Sequence, residues 1–379
     1  MKRLAATLLV LLLVLTTALS GCTHNTKDKE SKLSIVCTVF PQYDWARQIL
    51  GEKADDIELT LLLDSRIDLH NFQPSVEDIV KISGCDLFIY VGGESDGWVN
   101  DALREAKNKN MIVIDLLDML GDAAKLEEII EGMEDDGQNH DHGDGRHDDD
   151  HDDDHGDGRH DDDHDDHGDG RHDDDHDDDH DDDPAGGRHG DEAEGGHAHE
   201  AEYDEHVWLS LKNAKIFCAG IAEALISLDA ENAGVYQSNL ASYIEKLSAL
   251  DAEYQKVADA AFVKTVLFAD RFPFRYLVDE YGLSYYAAFA GCSAETEASF
   301  ATIVFLAQKM DELQLPCVMV TESSDQSIAR TVIQSTKARN YKICVLDSMQ
   351  SVSSNDVRNG TTYLSVMEGN LEVLKEALG

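Results

Sequence analysis

Between His142 and His180 the chain reads HGDGRHDDDHDDDHGDGRHDDDHDDHGDGRHDDDHDDDH, a run made only of His, Asp, Gly and Arg. Such a run has no apolar surface to bury, so it cannot contribute to a core. The fold must therefore come from the segments on either side, with residues 132–202 as a disordered insertion between them. Within the insertion a repeat, HGDGRHDDDHDD with an optional third Asp, starts at His142, His155 and His167, a period of 12 or 13. The nonapeptide period and apolar positions of a calcium-binding β-roll are missing. An EF-hand fails too, because no Glu follows at the twelfth position with Gly at the sixth.

Charge narrows the function. The formal net charge is −46, opposite in sign to the basic face that nucleic-acid phosphates need. From Asp135 to Glu202 there are 31 Asp or Glu against 4 Arg, a net of −27, which leaves −19 for the rest. An acidic spacer explains the Asp and Gly. It does not explain His every three to five residues at His142, His147, His151, His155, His160, His164, His167, His172, His176 and His180. Imidazoles that are neutral near pH 7, set among dense negative charge, bind several ions loosely and raise their local concentration. The insertion is read as an accessory metal loop.

Outside it, strand-like and helix-like segments alternate. LSIVCTVF reads as a buried strand, PQYDWARQILG as a helix, IELTLLLD as a strand, PSVEDIVKISG as a helix, then CDLFIYVGG, WVNDALREAK and MIVIDLL continue the pattern. After the insertion, EHVWLSLKNAKIFCAGIAEALISL gives a helix. A long amphipathic one follows, with Tyr236, Leu240, Tyr243, Leu247, Leu250 and Tyr254 at spacings of three or four. A second alternating unit runs from TVLFAD to the closing helix TTYLSVMEGNLEVLKEALG. The expected fold is α/β with two lobes, each a mostly parallel sheet flanked by helices, joined by one long helix. Ligands of such sheets bind at the carboxyl ends of the strands, here in a cleft between lobes.

The first 22 residues, MKRLAATLLVLLLVLTTALSGC, have a Lys2-Arg3 start and an apolar stretch that is short for a membrane span. LSGC resembles a bacterial lipoprotein signal, in which Cys22 becomes the lipid-bearing first residue. The six other cysteines, Cys37, Cys85, Cys218, Cys292, Cys317 and Cys344, form no CxxC and mostly sit in apolar runs. They are read as small buried hydrophobes rather than a zinc–thiolate cluster.

Apart from His24 in the linker, only His70 and His206 lie outside the insertion. His70 follows the second expected strand and His206 opens the helix after the insertion. Asp270 in VLFAD and Asp347 in ICVLD end strands of the second lobe. Imidazoles and carboxylates converging on one cleft suit a divalent transition metal. GESDG, from Gly93 to Gly97, matches the G-x-S-x-G nucleophile elbow. Only two expected strands precede its own, too few for that fold. HExxH, the P-loop and GxGxxG are absent.

DLHNFQPSVEDI resembles the first metal-binding His motif, Pro-His-x-Phe-x-Pro, of the zinc and manganese solute-binding proteins of ABC transporters, the ZnuA type. DEHVWLS is similar to that family's Asp-Pro-His-x-Trp-Leu, VLDSM to its late Asp, and GTTYLSVMEGNLEVLKEAL to its C-terminal helix. GGESDGWV resembles a loop of the same family, and zinc members carry a His- and acid-rich loop where the insertion lies. Leu69 and Glu205 stand where the family has proline before each His. The resemblance implies a third ligand, usually His or in manganese members Glu, after the first strand of the second lobe. FADRFPFRYLVDEYGL has no His, and Arg271 stands in that place beside Asp270. Arg stays protonated and does not ligate. Asp270 could turn in to give two His and two Asp, water could complete His70, His206 and Asp347, or an insertion His could serve.

The layout expected is a signal segment at 1–21, a polar linker at 22–32, an N-terminal lobe at 33–228 containing the insertion, a linking helix at 229–262 and a C-terminal lobe at 263–379. The resemblance implies a monomeric, lipid-anchored, extracytoplasmic protein that captures Zn2+, with Mn2+ or iron as alternatives, and passes it to an ABC permease without catalysis. A surface adhesin or metal buffer of the same fold is the other reading.

Overall fold

A computed structural model describes residues 32–64, 67–134, 202–293 and 297–379. The signal segment with Cys22, nearly all of the linker and the insertion with its ten repeat histidines lie outside the described residues. Four short strands, β1 (Ser34–Cys37), β2 (Glu58–Leu61), β3 (Leu87–Tyr90) and β4 (Ile112–Asp115), form one parallel sheet in the order β2-β1-β3-β4. Their near-continuous apolar sequences suit strands covered on both faces. β5 (Thr265–Phe272), β6 (Ser284–Ala290), β7 (Cys317–Thr321) and β8 (Lys342–Leu346) form a second parallel sheet, ordered β6-β5-β7-β8. The α/β fold with two parallel sheets is as the sequence pattern predicts.

β5 does not stop at Asp270 as its sequence suggested. A register irregularity between Phe268 and Arg271 lets it keep pairing with β6 as far as Phe272. Asp270 therefore sits inside a strand, not at its end.

Helices connect the strands: α1 (Phe40–Leu50), α2 (Val76–Gly84), α3 (Val99–Arg104) and α4 (Leu116–Leu120) in the first half, then α5 (Leu211–Leu228). α2 starts as its sequence dictates, with Ser75 and Asp78 exchanging side-chain-to-backbone hydrogen bonds in a capping box. α6 (Ala233–Ala260) has 28 residues, and at about 1.5 Å rise per residue it runs roughly 42 Å. Tyr236, Tyr243, Leu247, Leu250 and Tyr254 are buried along it and Leu240 is half-buried, the stripe the spacing predicts. α7 (Arg275–Glu280), α8 (Phe300–Leu313), α9 (Ser327–Ser335), α10 (Ser354–Arg358) and α11 (Tyr363–Leu378) complete the order.

One buried cluster joins the first sheet, α5, α6 and α11 to one face of the second sheet, while α8 and α9 cover a smaller cluster on the other face. At the centre of the larger cluster Trp45 lies against Phe217, with ring centroids 5.6 Å apart, and Tyr363, at 5.1 Å. Buried polar contacts tighten this junction. The Asp44 carboxylate of α1, fully buried, accepts the Tyr363 N–H at the start of α11 at 2.9 Å and the Gln48 side-chain amide at 3.2 Å. Burial raises the Asp44 pKa against the lowering effect of those bonds, so the contact stands in a poorly solvated place.

The fold gathers the carboxyl ends of several strands. The loop after β2 carries His70, that after β3 carries Ser95, that after β6 carries Cys292, and that after β8 carries Asp347.

Replacing Asp44 with Ala strands the Tyr363 N–H in the core. The expected cost is about 1–3 kcal/mol, read as a lower urea midpoint with unchanged slope; a loss below about 0.5 kcal/mol, the range of an inconsequential surface change, contradicts the role given to Asp44.

Candidate metal centre

His70 stands in a short 3-10 turn, Leu69–Asn71, opened by Asp68, whose Oδ1 accepts the His70 N–H at 3.1 Å. Its ring is set by two groups at Nδ1: Ser95 Oγ at 2.8 Å and Glu205 Oε2 at 3.4 Å. Glu205 also takes the Ser95 backbone N–H on Oε1 at 2.8 Å. This packing needs Gly93, which has φ of +83° and where a Cβ would lie 2.4 Å from Glu205 Oε1.

His206 is fully buried. Asp204 Oδ1 accepts its backbone N–H at 2.8 Å and lies 3.1 Å from its Nδ1. Asp204 is held in turn by Tyr276, whose hydroxyl donates to the Asp204 carbonyl at 3.1 Å. Each ring thus presents Nδ1 to a carboxylate, the arrangement that, in a neutral ring, favours the proton on Nδ1 and leaves Nε2 for a metal. Ser95 fits this assignment, because its hydroxyl donates to Glu205 and its oxygen is left to accept from His70.

The two Nε2 atoms face each other at 3.3 Å. Metal-free, His206 Nε2 has the Gln350 amide nitrogen 3.2 Å away as a donor, and a bound cation would take that donor's place. With Zn–N near 2.0–2.1 Å, two corners of a tetrahedron are about 3.3 Å apart, the spacing observed.

Electrostatics act on the two rings in opposite senses. Burial, with His206 as neighbour, lowers the His70 pKa to about 4, so this ring is neutral at ordinary pH. Burial also pulls His206 down, but the bond to Asp204 and its charge outweigh that and raise it. Burial pushes Asp68 up, and His70 and Arg271 more than reverse the shift.

The other candidates are placed as follows. Arg271 forms an ion pair with Asp68 at 2.7 Å. Asp270 accepts the Arg271 N–H on Oδ1 at 2.8 Å and the Thr321 N–H and hydroxyl on Oδ2 at 3.1 and 2.8 Å. It lines a different hollow, with Phe289 and Ser323. Asp347 takes the Met349 N–H on Oδ1 at 2.7 Å, and burial, then Glu322, raise it to about 6. Its loop touches the imidazole pair through Gln350, whose Nε2 lies 3.2 Å from His206 Nε2, and its Ser348 carbonyl accepts Nε1–H of Trp208, two residues beyond His206, at 2.9 Å. Among the described residues, the group whose ligand atoms all come within 4.8 Å of one another is His70, His206 and Cys292, so neither Asp270 nor Asp347 joins it.

Five of the six described cysteines are buried free thiols, as their apolar runs predict; Cys292 is half-buried and borders the cavity beside His70, Glu94, Ser95 and Glu205. Sequence reasoning passed over Cys292, and over Asp204, Glu205 and Gln350 as neighbours of the rings. Asp204 and Glu205 had one available signal, since they precede His206 directly. Ser95 of the G-x-S-x-G match meets His70, where it shares Nδ1 with Glu205. A hydrolytic triad needs the nucleophile and the acid on opposite ring nitrogens.

The sequence matches the model of the family described as zinc-uptake complex component A, periplasmic, over residues 35–377. Zinc-binding lipoprotein AdcA of Streptococcus pneumoniae is 27% identical over 353 residues, covering 93% of this chain and 57% of the relative. The chain thus spans little more than half the length of that relative. High-affinity zinc uptake system protein ZnuA of Bacillus subtilis is 26% identical over 367 residues, covering 97% of this chain and 94% of the relative. The fold is shared with the Zn(II)-bound ZnuA-like domain of Streptococcus pneumoniae AdcA, at 23% identity and TM-score 0.60, covering 92% of this chain and 99% of that one. It is shared as well with laminin-binding protein Lmb of Streptococcus agalactiae, at 18% identity and TM-score 0.61, with 92% and 100% covered.

Long-range nitrogen–proton NMR on the metal-free protein, at a pH above the raised His206 pKa, is expected to find both ring protons on Nδ1, with Asp204→Asn shifting His206 towards the other tautomer. Protons on Nε2 in both rings contradict the lone-pair argument.

Proposed function

The chain belongs to the periplasmic zinc-uptake component A family, and from that premise we propose that it captures a divalent transition metal, zinc first, at His70 and His206 and delivers it to an ABC permease. The single observation that carries this reading is the opposed pair of Nε2 atoms at 3.3 Å, each ring oriented by its own carboxylate. Neutral imidazoles favour zinc and other borderline metals over hard ions such as magnesium or calcium. The names of the relatives, zinc-binding lipoprotein and high-affinity zinc uptake protein, support the same cargo.

Asp347 is proposed as a carboxylate ligand that a small shift of its loop brings in, since Gln350 of that loop already touches His206. Asp270 has a weaker place in the proposal, because both its oxygens accept hydrogen bonds within the second sheet. The repeat histidines from His142 to His180 act in this reading as a collector that raises local metal concentration. Cys22 carries the lipid anchor that holds the protein, as a monomer, outside the cell membrane. No helix of the described residues is long and apolar enough to cross a membrane.

The reading makes the protein a carrier in which no bond is made or broken; the shared use of His70 Nδ1 by Ser95 and Glu205 supports this over hydrolysis. Manganese is the alternative cargo. An adhesive role is the second reading, favoured by the fold shared with Lmb, described as a bifunctional protein with adhesin and metal transporting activity.

Competitive zinc titration tests the proposal. A variant lacking residues 135–201 is expected to keep one tight site, while His70→Ala and His206→Ala each weaken it by more than about 100-fold, beyond the loss usual for an outer-shell partner. Loss of all tight binding on deleting the insertion places the site in the repeat instead.

A further inference from the structure

The family pattern seeks a third ligand on β5, and in this chain the position is filled by Arg271, which is spent on Asp68. The neighbouring strand offers a replacement. β6 pairs with β5 in parallel register, Arg271 with Phe289 and Phe272 with Ala290, so the residues just past Ala290 lie beside the end of β5. Those residues are Gly291 and Cys292.

We propose that Cys292 is the third metal ligand, giving a His70–His206–Cys292 donor set that selects zinc. The inference rests on the uptake reading above and deepens it.

Four observations carry it. A ligand atom of Cys292 and one of each histidine lie within 4.8 Å of one another, the one such group among the described residues. The two Nε2 atoms meet at 3.3 Å, close enough for one ion to reach both. Gly291 is pressed against His206: a Cβ there would stand 2.9 Å from the Phe272 carbonyl oxygen, 3.1 Å from His206 Cε1 and 3.2 Å from Nδ1. A larger residue at 291 would hold the Cys292 loop away from the ring. Finally, the loop is anchored, because the Cys292 N–H donates to Glu127 Oε1 at 2.7 Å.

The chemistry follows from the environment. Burial, with Glu127, Asp204 and Glu205 nearby, pushes the Cys292 thiol up, while the Glu205 backbone N–H pulls the other way. Without metal the group therefore stays a neutral thiol. A bound zinc ion supplies the positive charge that deprotonates it; the S–H bond breaks, the proton goes to solvent, and a Zn–S bond forms. Two imidazoles and a thiolate leave a fourth tetrahedral position for water or a carboxylate such as Asp347. A thiolate is a soft ligand that suits zinc and disfavours manganese, so the exchange of the family's usual residue for cysteine fixes the cargo.

Cobalt(II) added to the full chain is the first probe, because a thiolate bound to cobalt gives a near-ultraviolet charge-transfer band that imidazoles and carboxylates of the insertion do not. The band is expected in the parent protein and in Cys317→Ser and absent in Cys292→Ser. Zinc affinity is expected to fall more than about 100-fold in Cys292→Ser, beyond the loss usual for an outer-shell partner, with manganese affinity changed less than twofold. A band that survives Cys292→Ser overturns the proposal. If His206→Ala abolishes tight binding while Cys292→Ser binds as the parent does, the thiolate ligand is lost and the uptake reading stands. If both variants bind as the parent does, the cleft is not the metal site at all.

Discussion

Two imidazole nitrogens 3.3 Å apart, each on a ring whose Nδ1 meets a carboxylate, set the terms for everything around them. Held this way, the rings form a preset pair of donors for one ion. The surrounding structure works to maintain it. Asp204 fixes His206 and is itself tied down by Tyr276; Glu205 fixes His70 and the Ser95 loop together; Gly93 makes room for Glu205. Orientation of this kind raises ligand basicity and removes the entropy of finding the ring geometry on binding.

The scaffold explains why these groups meet. Parallel strands put their loops on one edge of a sheet, and two such sheets share a buried core with α6 and α11. His70, Ser95, Cys292 and Asp347 all follow strand ends, from β2, β3, β6 and β8. Asp44, bridging α1 to α11, and Trp45, packed between Phe217 and Tyr363, hold the core that keeps the two sets of loops in register.

Much of this was legible in the amino-acid order. Apolar runs bounded by Gly and Pro gave the strands, and the tyrosine and leucine stripe gave the long helix, because both signals are local. His70 and His206 were legible by elimination, as the two histidines left once the insertion and the linker are set aside. The outer shell was not, since Glu205 reaches a residue 110 positions away and no periodicity encodes such a pairing. Asp270 misled because a strand irregularity carries β5 two residues further than its apolar run. Cys292 was hidden among cysteines in apolar company; what separates it is its place just beyond the end of β6, a fact of register between strands.

A ligand set drawn from neighbouring strands also accounts for an oddity of the chain. An arginine at the expected third position would spoil a metal site if it faced the ion, and here it serves instead to balance Asp68, the residue that opens the His70 turn. The cation thus sits outside the donor group and stiffens the loop that presents it.

X-ray absorption at the zinc edge, on protein lacking residues 135–201 and loaded with one equivalent of zinc, tests the central claim most directly. The account requires the multiple-scattering signature of imidazole, with nitrogen at about 2.0–2.1 Å and one sulfur at about 2.3 Å, all of it lost in His206→Ala. An all-oxygen shell, or a spectrum unchanged by that substitution, contradicts capture of the metal by the opposed histidines.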